Sequence, residues 1–221
     1  MLGTVALVSA RIVAGILIAI VVVFIAIRLT NDIPNVTSGS IPPPAEFDHR
    51  YAAYPWLAYA HILPGLVYLL LAPIQLWRGF RNRHLRWHRR IGRVALVAGS
   101  LSGVFAIVFG WFLSFGGTLE ASAAVVFGAW FLFALATAYR AIRRRDVRTH
   151  RRWMIRAFAV GVAVGTIRLW IGLFQGFGLL SFEDAFGVAF WISFLLHAGV
   201  AELYIQARPE VTGARTRPAP A

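Results

Sequence analysis

Four histidines lie in or beside long apolar stretches of the sequence, where an imidazole acts as a metal ligand or as a hydrogen-bonding group between helices. His88 and His150 each stand at the start of such a stretch and are followed by two arginines, whereas His61 and His197 lie inside apolar stretches. Two imidazoles at equal depth on facing helices can hold the iron of a haem between them. His88 with His150, and His61 with His197, are therefore candidate ligands of haem b.

Arg168 lies deep in the fifth apolar stretch, about fifteen residues or roughly 22 Å from its start. A charged side chain at a helix centre costs about 2.5–3.5 kcal/mol on insertion scales, so it needs a partner. His61 and His197 are expected at similar depth, and the three residues form a candidate polar site for a small anionic or amphipathic molecule. Alternatively the histidines only bond across helices, and Arg168 extends outward to Glu183 or Asp184.

Fifteen arginines are concentrated in two short segments, ahead of the third and fifth apolar stretches. Each arginine beside an anionic leaflet contributes about 1 kcal/mol at best, so the two segments predict a ring that binds anionic lipid headgroups. The expected headgroup ligands are the arginines that begin the two stretches: Arg89, Arg90, Arg151 and Arg152. Lipid phosphate is also the alternative partner of His88 and His150.

Glu202 is an acidic residue near the end of the last apolar stretch. We expect its carboxylate to pair with Arg93 or Arg156 and to fix helix packing. The rest of the sequence contains no phosphate-binding glycine loop, no serine triad spacing and no carboxylate pair suited to hydrolysis. It therefore does not decide whether the protein is an enzyme.

The composition excludes a soluble globular protein, because 59% of the 221 residues are hydrophobic and only 14% are charged. The net charge of +13 does not indicate nucleic-acid binding, since the arginines alternate with long apolar runs and are typical of basic membrane loops. The sequence has no cysteine, which excludes disulfides, zinc-thiolate sites and thiol catalysis.

These residues are positioned by six apolar stretches, each long enough to cross a bilayer core of about 30 Å. The stretches are 8–27, 54–77, 91–113, 121–141, 153–175 and 186–206. The sequence thus predicts an all-α, polytopic bundle of six transmembrane helices. The basic loops place both termini in the cytoplasm, and the arginine-only, alanine-rich composition favours the inner membrane of a bacterium.

The chain divides into three parts. Residues 1–53 hold the first helix, which we expect to be retained rather than cleaved, and a proline-containing outer loop expected to be extended. Residues 54–207 form a five-helix membrane core, and residues 208–221 form a tail expected to be disordered and cytoplasmic.

An internal repeat is indicated at an offset of 62 residues, which aligns helices 2–3 of the bundle with helices 4–5. His88 falls on His150, Gly99 on Gly161 and Gly110 on Gly172. The small residues follow a helical period, so each copy presents one nearly bare face. Such a face permits close helix packing or leaves room for a flat cofactor.

Three motifs resemble a known family. They are H-I-L-P-G from His61, R-W-H-R-R-I-G-R ending at Arg93, and H-R-R-W-M-I-R from His150. From the second apolar stretch to Glu202 the sequence is similar to the predicted bacterial membrane proteins of domain-of-unknown-function family 2306. The resemblance implies a polytopic bacterial membrane protein without an assigned activity. It marks as motif positions His61, His88, Arg93, His150, Arg156, Arg168 and Glu202.

A looser likeness, in arrangement alone, is to two-haem transmembrane b-type cytochromes. It implies an inner haem between His88 and His150 and an outer haem between His61 and His197. The leading hypothesis from sequence is therefore a haem b-binding transmembrane electron carrier. The alternative is a non-enzymatic carrier or receptor for a small anionic or amphipathic molecule held by Arg168.

Overall fold

The structure is a computed structural model that describes residues 2–207, with side chains from Val8 onward. The tail 208–221 lies outside the described residues. Within them, every regular element is an α-helix. The helices are α1 (Leu2–Ser38), α2 (His49–Ala53), α3 (Pro55–Leu76), α4 (Arg78–Arg83), α5 (Leu85–Phe112), α6 (Gly117–Arg143), α7 (Val147–Gly176) and α8 (Phe182–Ala207).

Six of these helices are long and apolar enough to cross a membrane: α1, α3, α5, α6, α7 and α8. The predicted all-α class and the six spans are thereby confirmed. α5 and α7 begin before the apolar stretches, because the basic segments ahead of them continue the same helices. Asp146 caps α7 by accepting a hydrogen bond from the Thr149 N–H at 3.0 Å. Hydrogen bonds from the Thr149 side chain and backbone hold the pKa of Asp146 below its usual range.

The outer loop is shorter than predicted. α1 continues through Pro34 to Ser38, and the short helix α2 forms before Tyr54. Arg28 and Asp32 form an ion pair one turn apart just before the proline, which stabilises the helix where Pro34 removes a backbone donor.

Four helices form a ring around which the others pack. α3 contacts α5 and α7, and α6 contacts the same two helices, so α5 and α7 stand diagonally opposite. α8 packs outside α6 and α7, and α1 packs outside α7 and α3. We call the end with residues 77–84 and 144–146 the basic end, and the end with residues 39–54, 113–116 and 177–181 the carboxylate end.

Part of the predicted glycine faces points into this ring, where protein side chains fill the space they leave, whereas Gly165 lies against Leu17 of α1 and Gly172 has open space at its Cβ position. A Cβ at Gly99 would lie 2.8 Å from Cδ2 of the Tyr68 ring, and a Cβ at Gly161 would lie 3.0 Å from its Cε1. One tyrosine of α3 is thus held between glycines of α5 and α7. These contacts favour close packing as the reason for the bare faces, while the repeat itself stays a prediction.

Candidate functional site

Three polar residues lie along one face of α3 inside the ring. His61, Tyr68 and Gln75 are seven residues apart, which is two helical turns or about 10.5 Å of rise. Tyr68 and Gln75 are 2% and 7% exposed. Neither the Tyr68 hydroxyl nor the Gln75 side-chain nitrogen has a hydrogen-bond partner among the described residues. We call these three residues the α3 polar face.

The glycines of α5 and α7 show how the helices are aligned in depth. Gln75 lies against Gly92, where a Cβ would be 3.0 Å from its Oε1, and Tyr68 lies against Gly99 and Gly161. α3 and α7 are antiparallel. A step of seven residues from Tyr68 and Gly161 toward the carboxylate end therefore reaches His61 on α3 and Arg168 on α7. His61 and Arg168 lie at one level on facing sides of their helices.

The tautomer of His61 is fixed by its neighbour on α5. Its Nδ1 lies 3.0 Å from both the backbone oxygen and the hydroxyl oxygen of Ser102. Because the carbonyl oxygen only accepts and the hydroxyl has another acceptor for its proton, we assign the imidazole proton to Nδ1. The Ser102 hydroxyl in turn donates to the His61 carbonyl at 2.9 Å. Nε2 is left as an acceptor. Arg168 lies within electrostatic range of this imidazole.

Arg168 has no hydrogen bond and no ion pair among the described residues. Its guanidinium lies over the Phe24 ring of α1, 5.4 Å from the centroid. It does not reach Glu183 or Asp184, and the Asp184 carboxylate accepts instead from the Ser181 hydroxyl at 2.7 Å. The outward extension considered from sequence is therefore absent within residues 2–207.

His197 is not part of this arrangement. Its Nε2 lies 2.7 Å from the Thr166 hydroxyl. Thr166 and Arg168 are two residues apart on α7, so their side chains point about 200° apart around the helix. α8 also makes no contact with α3. The predicted site of three residues is thus reduced to Arg168 and His61.

A buried ion pair closes the carboxylate end. Arg50 of α2 lies among aromatic rings, with its guanidinium 4.5 Å from the Phe47 centroid. It donates to the Leu113 carbonyl at 2.9 Å and to Glu120 at 3.3 Å. Glu120 also accepts from the backbone of Gly116 at 2.6 Å, so one carboxylate joins α2 to the turn between α5 and α6.

A second network lies beside this pair. Arg28 of α1 bonds Asp32 at 2.9 Å and Asp48 at 2.7 Å, and the Tyr59 hydroxyl donates to Asp32 at 2.7 Å. Asp32 is 1% exposed. Both ion-pair networks lie within electrostatic range of Arg168, yet their carboxylates are bound to other arginines.

At the basic end, His88 and His150 lie on the diagonally opposite helices α5 and α7. The two imidazoles are within electrostatic range although α5 and α7 do not touch. His150 donates from Nδ1 to the Ala138 carbonyl at 3.0 Å, which leaves its Nε2 free. The Nδ1 of His88 is buried without a partner among the described residues. Burial and the charges of Arg151 and Arg78 lower the pKa of Arg81 at the same end.

The remaining predicted residues also lie at the basic end. Arg89 and Arg90 are exposed, whereas Arg151 and Arg152 are half-buried. The Nε atoms of Arg151 and Arg152 lack partners within the described chain.

The carboxylate of Glu202 pairs with Arg156, one of the two arginines predicted as its partner. It binds Arg156 through two contacts of 2.5 and 2.8 Å, which joins α8 to α7. Arg93 is exposed and donates to the Arg89 carbonyl at 3.3 Å. Arg156, rather than Arg93, thus fixes the packing of Glu202.

Comparison with protein families matches residues 58–205 to the family described as predicted membrane protein (DUF2306), about two thirds of the chain. The protein belongs to this family. The match covers α3 to α8 almost completely, so His61, Tyr68, Gln75 and Arg168 all lie inside the DUF2306 region. Arg28 and Arg50 lie before it. No curated protein and no solved structure matches the sequence.

Sequence reasoning missed Tyr68, Gln75, Arg50 and Glu120. The spacing of seven residues from His61 marks the face of α3 that Tyr68 and Gln75 share, and this signal was available. Arg50 and Glu120 are 70 residues apart along the chain. Nothing local in the sequence indicates that they meet.

Proposed function

We propose that this membrane protein binds a small amphipathic carboxylate, with Arg168 holding the anionic head. The observation that supports the proposal is the guanidinium of Arg168, which lies within a spanning helix without an ion pair or hydrogen bond in the described chain. An arginine at this depth is costly unless it is compensated. A carboxylate ligand would supply two charge-assisted hydrogen bonds to it.

The surroundings of Arg168 favour a ligand with an apolar part. Phe24, whose ring lies under the guanidinium, is 44% exposed, so part of this ring borders lipid. Gly172, one turn beyond Arg168, has open space where its Cβ would lie. The head of an amphiphile would reach Arg168 between α1 and α7 while its tail stays in the bilayer.

Octanoate is the probe for this site. We expect octanoate to raise the unfolding temperature of the detergent-purified protein. In Arg168→Leu we expect the half-saturating octanoate concentration to rise at least tenfold, because a hydrogen bond to a charged group contributes about 1.5–3 kcal/mol. Arg168→Lys should keep part of the response, and Arg83→Leu, at an exposed arginine of α4, should keep all of it.

The stability of the same variants shows whether Arg168 serves to bind a ligand or to stabilise the fold. Since Arg168 has no hydrogen bond or ion pair to lose within the described residues, only its contact with the Phe24 ring, Arg168→Leu should fold and should unfold near the wild-type temperature without octanoate. A strongly destabilised Arg168→Leu, or an octanoate response equal to that of wild type, would count against the proposal.

A second candidate function is electron transfer by a haem b held between His88 and His150. It is favoured by the Nδ1 hydrogen bond of His150, because histidines that bind metals are oriented in this way with Nε2 as ligand. A haem would supply one-electron chemistry. The outer haem has less support, since the Nε2 of His197 is engaged by Thr166. A reduced-minus-oxidised spectrum without a low-spin haem band in protein from haem-replete cells would exclude this candidate.

We infer that the basic end faces the cytoplasm of a bacterial inner membrane, because basic loops are retained on that side. Both termini would then be cytoplasmic, since α1 begins and α8 ends at the basic end of the bundle. A reporter fused after Arg145 should behave as cytoplasmic and one inserted near Pro43 as external. The arginines proposed to bind anionic lipid headgroups at this end are Arg89, Arg90, Arg151 and Arg152.

A further inference from the structure

An open groove of about 600 Å³ runs along the outside of the bundle between α3 and α5. We call it the α3–α5 groove. Its walls are apolar side chains of both helices, among them Val67 of α3 and Val97 and Leu101 of α5, and Ala98 is its smallest lining residue. Among the described residues that line it, Arg93 alone carries a charge. The groove is therefore apolar along its length and basic at one end.

Within residues 2–207, no helix other than α3 and α5 lines this groove. α1 packs outside α7 and α3, and α8 packs outside α6 and α7, which leaves the outer side of α5 open. The side chains there are well exposed, with Val97 at 68% and Leu63 at 48%. In a bilayer this surface meets either lipid chains or a second copy of the protein.

The α3–α5 groove lies in the half of the bilayer nearer the basic end. Arg93 follows Leu85, the first residue of α5, by about 12 Å along the helix axis, and Leu101 lies about 12 Å further on. Since α5 has 28 residues, the groove ends near the middle of the helix. One leaflet contributes half of the hydrocarbon core, about 15 Å, which is close to the length of the groove. The groove thus has the depth of one acyl chain.

The guanidinium of Arg93 is available to bind the headgroup of such a lipid. Its Nε donates to the Arg89 carbonyl at 3.3 Å, and no carboxylate pairs with it within the described residues. Arg93 is exposed, and so are Arg86, Arg89 and Arg90, which lie up to two turns before it on the same helix. A lipid phosphate would accept charge-assisted hydrogen bonds from this guanidinium.

The same positive charge disfavours a second copy as the occupant. Two copies inserted the same way in one membrane would place their basic ends at one level, so arginines would meet arginines at the depth of Arg93. The carboxylates described at this end are those of Asp146 and Glu202, and Glu202 is already bound to Arg156. An anionic lipid meets Arg93 with the opposite charge.

We propose that the α3–α5 groove binds one anionic glycerophospholipid of the leaflet at the basic end. Its phosphate lies at Arg93, and one of its acyl chains lies along Val97 and Leu101. The site is separate from Arg168, which contacts Phe24 between α7 and α1. It also differs from the headgroup contacts proposed for the other arginines, because it holds an acyl chain as well as a phosphate.

The test is lipid binding to the detergent-purified protein, followed by native mass spectrometry. The probes are phosphatidylglycerol, phosphatidylcholine with the same chains, and glycerol 3-phosphate, which lacks chains. Wild type should bind its first phosphatidylglycerol at least tenfold more tightly than phosphatidylcholine, and should bind glycerol 3-phosphate at least tenfold more weakly than either lipid. In Arg93→Gln the preference for phosphatidylglycerol should fall at least fivefold. Arg140→Gln, at an exposed arginine of α6 outside the groove, should keep it.

Ala98→Phe tests the seat of the acyl chain. The added ring occupies the groove, so this variant should bind both lipids at least fivefold more weakly. Val104→Phe is the matched control, because Val104 is 48% exposed on the same helix and does not line the groove. Since both positions border lipid, both variants should fold, and their unfolding temperatures check this.

Three results would overturn the inference. They are phosphatidylglycerol binding as tight in Arg93→Gln or in folded Ala98→Phe as in wild type, glycerol 3-phosphate binding as tight as that of the lipid, and a dimer cross-linked through Val97→Cys in native membranes. The last result would assign the groove to a second copy, and it is clear to interpret because the natural sequence has no cysteine. Arg93→Gln should keep its octanoate response, so this inference and the proposal for Arg168 can fail separately.

Discussion

Glu120→Gln is expected to lower the free energy of unfolding by about 3–5 kcal/mol, because it leaves a buried arginine without its counter-charge. Arg50 and Glu120 are both buried, and the pair joins α2, the end of α5 and the start of α6. The neutral amide keeps the shape of the side chain. The loss of unfolding free energy therefore reports the missing negative charge of Glu120 rather than a change in packing.

The measurement is unfolding of the detergent-purified protein, with Glu46→Gln as the matched control because Glu46 is exposed. The double variant Arg50→Met with Glu120→Gln should recover part of the loss, since it leaves no unpaired charge. If Glu120→Gln were as stable as Glu46→Gln, the ion pair would not hold α2 in place.

Gly110→Ala is expected to destabilise the protein by about 1–3 kcal/mol, the usual cost of overpacking. A Cβ at this position would overlap the Cβ of Ala124, so α5 and α6 must separate. Gly172 is the equivalent position in the predicted repeat and has nothing within 4 Å of an added Cβ. Gly172→Ala should therefore be neutral, or stabilising by up to about 1 kcal/mol through helix propensity.

Unfolding of the two alanine variants under identical conditions decides this comparison. Equal stability of both variants would mean that α5 and α6 are not in the close contact described. A large loss of stability in Gly172→Ala alone would indicate that another group packs against α7 at this position.

The six spans were predictable because a bilayer requires about 20 apolar residues, and a count along the chain finds them. Their ends were less predictable. The arginines before α5 and α7 read as loop residues, yet they continue the helices. Pro34 reads as part of a loop, although α1 runs through it to Ser38.

The depth of the polar residues along their helices was also predictable, but the direction in which each side chain points around the helix axis was not. His61, Arg168 and His197 were all placed at similar depth by counting residues along their spans. Which of them face each other depends on how the helices are rotated and packed. His197 contacts Thr166, which points to the opposite side of α7 from Arg168. No local sequence pattern predicts this contact between α7 and α8.

The glycine spacing predicted bare helix faces but not their occupant. The ring of Tyr68 fills the space between Gly99 and Gly161, and it comes from a different helix of the bundle. The ion pair of Arg50 with Glu120 is a similar case, because both partners lie in segments whose local composition indicates only loops.

The central claim is that Arg168 binds the anionic head of an amphiphile inside the membrane. The most direct measurement is to purify wild type and Arg168→Leu in mild detergent from the same cells, release bound small molecules by denaturation, and quantify them by mass spectrometry. The account predicts that an amphipathic carboxylate accompanies wild type at close to one molecule per chain and is depleted at least tenfold in Arg168→Leu. Equal amounts of every anionic amphiphile in the two preparations would contradict it.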